Sequence, residues 1–310
     1  MSNKKRLIWF ISLLLIVLVS LSAIYDSLAG TRTENYVTNL TLTPKEINYL
    51  FVGDSHGSDD LDENTLNVGS YNISQPSDNF KDIYAKLLYL INLNTQINNL
   101  VIEIDPHLFA NYRISQNNNE MILNYLDFKN SKKIYKVNIL EYYLRKCPII
   151  SQKNRNFIFK ASLKKIINLF ESKQRFHTLT INKGIKNKLK SQNDEEALKR
   201  IMYHYSNGIL DENEIKYYFT KIIEIAKDNN INIIGIRYPI SKYYFLHSEN
   251  QLFQNYITEI DSFIESHITT IYDYKTIFLE QDEYFANSDH LNEEGANHFS
   301  KILKNDIEKR

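Results

Sequence analysis

Between residues 47 and 104 the sequence alternates its hydrophobic period in a way that few folds accommodate. Residues 47–52 (INYLFV) form a short apolar run ending at Gly53, the pattern of a buried strand closed by a turn. Phe80, Ile83, Tyr84, Leu87, Leu88 and Ile91 then recur at helical spacing, with Ser77 or Asp78 placed to cap the helix. Residues 100–104 (LVIEI) form a second buried strand, stopped by Asp105 and Pro106, and residues 70–74 (SYNIS) suit a further short strand. Two strands joined through a helix at this spacing must run parallel, so the segment predicts a βαβ unit and a parallel sheet. The pattern resumes with a strand at 231–238 (INIIGIRY), a helix near 250–266, a strand at 269–274, and a last helix that Asn292 is suited to cap. Long Lys-, Asn- and Tyr-rich helical patterns fill the interval, about 113–229. The prediction is one α/β domain over residues 45–310 with a helical insertion in its middle.

Residues 30–44 are polar and threonine-rich and read as a spacer. Before them, residues 7–24 (LIWFISLLLIVLVSLSAI) are apolar apart from serines and span about 27 Å as a helix, close to the hydrocarbon thickness of a bilayer. Lys4, Lys5 and Arg6 precede the run and Asp26 follows it, which favours a cytoplasmic N-terminus and an exported remainder. Residues 1–29 therefore predict a transmembrane anchor of a single-pass protein. The competing reading is secretion after cleavage of a signal peptide, since Ser27 and Ala29 supply small residues at a peptidase's spacing.

The 37 basic and 37 acidic residues balance, so bulk attraction to polyanions is absent and nucleic acid is not an expected partner. A single cysteine, Cys147, permits neither an internal disulfide nor a cysteine-rich zinc site, and reads as a small buried residue. Leu163, Ile166, Ile167 and Phe170 lie at helical spacing beside Lys160, Lys164, Lys165 and Lys173. They suit either a solvated helix packed on one face or a basic amphipathic face against lipid headgroups or an acidic glycan. No His/Asp/Glu group has metal-ligand spacing along the chain and there is no glycine-rich phosphate loop, so neither metal nor cofactor is expected.

Two motifs carry chemistry. Gly53-Asp54-Ser55-His56 follows the first strand directly, which puts Ser55 at the carboxyl edge of the sheet, where open α/β folds bind ligands. Asn287-Ser288-Asp289-His290-Leu291-Asn292, with Gly295 beyond, lies near the other end. A serine hydroxyl becomes a useful nucleophile only when a base takes its proton, and histidine suits that task near neutral pH. His56 suits either packing against the loop or touching substrate, and Arg237 either an anionic substrate group or a salt bridge.

A strand ending in Gly-Asp-Ser, together with a late His followed by Leu-Asn and Gly, resembles the SGNH (GDSL) hydrolase superfamily. More narrowly it resembles the membrane-anchored, extracytoplasmic branch found beside polysaccharide acylation systems. The resemblance covers about residues 45–112 and 229–305 and implies a three-layer α/β/α, flavodoxin-like fold. It implies Ser55 as nucleophile, His290 as base and then acid, and Asp54 as a residue holding the nucleophile loop. For the oxyanion hole it places Ser77 in the slot of a glycine amide, with Gly69 as the competing alignment, and His107 in the slot of an asparagine. His107 and Asp105 are equally able simply to cap the turn after their strand. The superfamily's Asp three residues before the His is Asn287 here, which can hold an imidazole N–H but cannot offset an imidazolium with a full charge. Asp289 is poorly placed to replace it, being adjacent to His290, whereas Asp282 or a main-chain carbonyl can serve.

The implied activity is hydrolysis or transfer of an acyl ester through Ser55, on an envelope or extracellular glycan, with acylation-complex proteins as partners. The alternative is a glycan-binding or assembly component that keeps the fold without the chemistry. A bare membrane tether leaves both motifs unexplained.

Overall fold

The computed structural model describes residues 3–29, 40, 43–66, 69–115, 122–123, 125–146, 190–205 and 214–309. Cys147, the basic segment around 160–173 and most of the 30–44 spacer lie outside the described residues. The chain divides into two units: Met1–Thr38 with Leu123–Leu179, and Asn39–Ile122 with Thr180–Arg310.

The first unit contains helix α1, Asn3–Ala29, whose described side chains Trp9, Phe10, Leu13 and Ile16 are exposed. Among the described residues no helix is long and apolar enough to cross a membrane. The same unit holds two short helices at Phe128–Tyr135 and Ile139–Lys146, with Leu123, Val137 and Tyr142 packed together and Tyr142 donating to the Leu126 carbonyl at 3.0 Å.

The second unit is built on five parallel strands: β1 Glu46–Val52, β2 Ser70–Asn72, β3 Gln96–Glu103, β4 Asn232–Arg237 and β5 Ile271–Asp273. Their spatial order is β2-β1-β3-β4-β5, the flavodoxin-like order. Both faces of such a sheet are covered, which is why β1 and β3 read as unbroken apolar runs. Phe51, Val101 and Ile234 fall in register and pack with Phe299, Leu303 and Ile307 of the last helix, Glu293–Glu308. The alternate residues Leu50, Leu100 and Ile102 are buried on the opposite face. The helices Phe80–Asn92 and Glu214–Asp228 pack together there, and Phe80, Phe109 and Phe219 form a ring cluster with centroids 4.7–5.2 Å apart.

The expected cap of the Phe80–Asn92 helix is corrected by two residues at most. Asn79 caps it, accepting from the Asp82 N–H at 3.1 Å. Asp78 is instead buried against the Lys86 ammonium, which also donates to the Ile73 carbonyl at 2.6 Å. Ser77 takes a left-handed turn conformation with φ of 70°. Asn292 does cap the last helix, accepting from Gly295 N–H at 2.9 Å. Helix Lys190–Tyr205, sequence-wise part of the insertion, packs on helix Lys242–Ser248 within the sheet-bearing unit.

Chain order makes a crevice. β2 lies on one side of β1 and β3 on the other, so the connections leaving the carboxyl ends of β1 and β3 diverge, the point where such sheets bind ligands.

Candidate active site

The connection after β1 is short and tightly tied. Gly53 lies so close to Glu103 that a Cβ on it would stand 2.2 Å from Oε2, so only glycine fits without displacement. The Asp54 N–H donates to Glu103 Oε2 at 2.8 Å, linking this loop to the end of β3. Asp54 then caps the short helix Ser55–Asp59, its Oδ1 accepting from the His56 N–H at 2.9 Å. Its Oδ2 faces His107 Nε2 at 3.2 Å and pairs with the Arg113 guanidinium. Although burial disfavours its charge, Arg113 and His107 hold Asp54 well below the usual carboxylate range. These bonds tie the segment that carries Ser55 to the end of β3 and to Arg113.

Ser55 and His290, separated by 235 positions, meet: Ser55 Oγ lies 3.2 Å from His290 Nε2. The other ring nitrogen, Nδ1, makes no hydrogen bond among the described residues, and Asp60 Oδ1 stands 3.7 Å from it. Asp60 follows the Ser55–Asp59 helix and is fully buried. Its Oδ2 faces His56 Nδ1 at 3.0 Å and its Oδ1 accepts the Leu291 N–H at 2.8 Å. The rings of His56 and His290 are 4.4 Å apart. Burial alone would lower the His56 pKa, but Asp60, with Glu103 and Asp54 behind it, raises it well above the ordinary histidine value. His56 is buried, with Nδ1 facing Asp60 and one part of the residue on the wall of the neighbouring cavity.

Asn287, expected behind the imidazole, is elsewhere. Its Oδ1 accepts the N–H groups of Asp289 (3.0 Å) and His290 (2.9 Å), folding the turn that delivers His290. An oxygen facing its own downstream amides cannot also face the ring. Asp60 occupies the position expected of a partner, and no sequence signal tied it to His290, because the two segments meet only on folding. Asp289 is buried beside Arg200, 2.8 Å away, and Asp282 accepts from Tyr243 at 3.4 Å.

His107 is also corrected. A carboxylate only accepts, so the Nε2 facing Asp54 carries the proton; burial pushes the ring's pKa down to about 4, leaving it neutral with no second N–H for an oxyanion. The ring stacks on His204 at 4.8 Å. Asp105 gives no side-chain cap to the turn Pro106–Phe109 and accepts instead from the Tyr238 N–H at 3.3 Å. Gly69 precedes β2 and bonds to Asn48 and Tyr49, at the sheet end opposite Ser55, which removes it as the oxyanion glycine. Ser77 has a φ of 70°, a backbone conformation that glycine adopts most readily. Arg237 is committed to Asp261 and to Asp273 at 3.0 Å, and so is a salt-bridge residue.

Folding also assembles what linear spacing did not show. Asp54, His56, Glu103 and His107 are all buried and each brings a possible ligand atom within 4.8 Å of the others, a proximity that spacing along the chain did not show. The two pairs come from different strand ends, so neither pair alone has a recognisable spacing. Beside them is a cavity of about 40 Å³ whose lining includes His56, His107, Tyr205 and Tyr244.

No known family profile matches the chain, and no curated protein matches it in sequence. Among solved structures it is similar to a GDSL-like lipase from Bacteroides thetaiotaomicron VPI-5482, with 11% identity and a TM-score of 0.43 over 90% of this chain and 98% of that one. It is also similar to a protein provisionally named an acylhydrolase from Bacteroides fragilis NCTC 9343, with 10% identity and a TM-score of 0.41 over 90% and 96%.

Proposed function

We propose that the protein is a serine acyl-ester hydrolase or O-acyltransferase of the SGNH (GDSL) type, working through an acyl-Ser55 intermediate. The observation that carries this reading is the 3.2 Å approach of Ser55 Oγ to His290 Nε2 at the carboxyl edge of the sheet. As Ser55 Oγ attacks the ester carbonyl, His290 Nε2 takes its proton and later returns it to the departing alkoxide. The imidazolium formed meanwhile has the Asp60 carboxylate beside Nδ1, and a small closing movement makes that contact a hydrogen bond. Ser77 N–H is the proposed oxyanion donor, supported by its backbone conformation. Water then releases the acyl group, or a sugar hydroxyl accepts it.

The substrate we propose is an ester on an envelope or extracellular glycan, and the placement we propose is a membrane anchor at residues 7–24 with the sheet-bearing part outside. Support comes from the basic flank and apolar run of the sequence. Acylation-complex proteins are proposed partners on the resemblance carried by the Gly53-Asp54-Ser55 and His290-Leu291-Asn292 motifs. The test is hydrolysis of p-nitrophenyl acetate and of an acetylated glycan by the purified full chain. Turnover that disappears in Ser55→Ala and His290→Ala supports the reading, and turnover unchanged in a folded Ser55→Ala variant rejects it. A folded wild-type chain that binds glycan without turnover transfers the reading to a binding component.

A further inference from the structure

The buried group beneath the Ser55 loop has a chemistry that the serine mechanism does not use. Glu103 is fully buried and its Oε1 has no hydrogen-bond partner among the described residues. His107 Nε2 lies 3.9 Å from that oxygen and 3.2 Å from Asp54 Oδ2. Tetrahedral zinc with bonds of about 2.0–2.1 Å sets its ligand atoms roughly 3.3 Å apart. These two separations stand near that, and the four ligand atoms, all within 4.8 Å of one another, draw in by up to about 1.5 Å around an ion. His56 has Nδ1 facing Asp60 and therefore offers Nε2, the arrangement in which a carboxylate orients a zinc-binding imidazole.

Three carboxylates, Asp54, Asp60 and Glu103, gather here beside one guanidinium, Arg113. Arg113 meets Asp54 Oδ2, an oxygen with a second lone pair for another partner. The cavity of about 40 Å³ touches both His56 and His107, which gives an ion a way in.

We propose that Asp54, His56, Glu103 and His107 form a binding site for one divalent cation, zinc fitting this mixed nitrogen and oxygen set best. The ion ties the start of the Ser55–Asp59 helix to the end of β3. Binding through His107 Nε2 places that ring's proton on Nδ1. No step of the reaction proposed for Ser55 passes through the ion.

The test uses the full chain, purified in detergent without a polyhistidine tag, stripped with chelator and titrated with zinc by calorimetry and thermal unfolding. One zinc per chain is expected, with Tm raised by about 5 °C or more at a hundredfold excess over Kd. Glu103→Gln and His107→Gln are expected to weaken binding by more than about 100-fold, while His290→Gln retains one zinc. Two results overturn the proposal: a wild-type chain that takes up no zinc and whose Tm does not move, or zinc kept by Glu103→Gln and lost in His290→Gln. The wild-type titration decides alone if the variants do not fold.

Discussion

His290 has two ring nitrogens, and the chain provides for them through different segments. Nε2 meets Ser55 from the loop after β1, while Nδ1 looks toward Asp60 from the end of the following short helix. Asp60→Asn is therefore expected to lower acyl turnover by at least about 10²-fold and by as much as 10⁴-fold, read from kcat with folding checked by circular dichroism. Asn287→Asp is expected to leave kcat within a few-fold, because a carboxylate accepts the same two backbone N–H groups. Reversal of these two results would restore Asn287 as the imidazole's partner. Asp289 supplies a pH dependence: burial alone would raise its pKa, but His290 and Arg200 outweigh it and hold the carboxyl below its ordinary value. With the native value depressed, the stabilisation is present above the unfolded pKa of about 3.9 and is lost as pH falls below it. Tm should drop between about pH 4 and 2, and Asp289→Asn should flatten that drop in a melting series. Ser55 and His290 were legible because they sit in short motifs. Asp60 was not, since its relation to His290 exists only after residues 55–60 and 287–291 are folded against each other.

At the scale of elements, strands were read from the sequence to within a few residues because burial on both faces leaves a continuous apolar signal in β1, β3 and β4. Caps were read less sharply. Ser77, Asp78 and Asn79 are all good cap residues, and the choice fell to Asn79 because Asp78 is drawn to buried Lys86. The last helix had a single good cap, and Asn292 was identified correctly. Asn292→Ala is expected to cost about 1 kcal/mol, measured as a lowered urea midpoint at unchanged m-value, through loss of the bonds to Gly295 N–H and the Glu283 carbonyl. A midpoint that does not move would mean that this turn draws its order from packing alone. Gly53 shows the other side of legibility: its glycine was visible as a turn residue, whereas the reason for it, the closeness of Glu103, required the neighbouring strand.

On the scale of the whole molecule, the sheet-bearing unit joins two distant stretches of sequence, Asn39–Ile122 and Thr180–Arg310, so both halves of the candidate site belong to one folded body. The parallel sheet and the position of Ser55 at its edge were legible because connection length dictates strand direction. The four-residue group under the loop was not, since its members come from two strand ends. For the proposed anchor, full-length chain should stay in the membrane pellet through an alkaline carbonate wash, whereas a chain beginning at Gly30 should be released. A mature chain found cut after Ala29 and soluble would instead assign residues 1–29 as a cleaved signal.

The most direct test of an activated Ser55 is exposure of the full chain in detergent to a fluorophosphonate probe, read by intact mass. One adduct is expected on the wild type, none on Ser55→Ala, and strongly slowed labelling on His290→Ala. A folded wild-type chain that never takes up the probe, or an adduct that persists in Ser55→Ala, would contradict the assignment of Ser55 as the nucleophile.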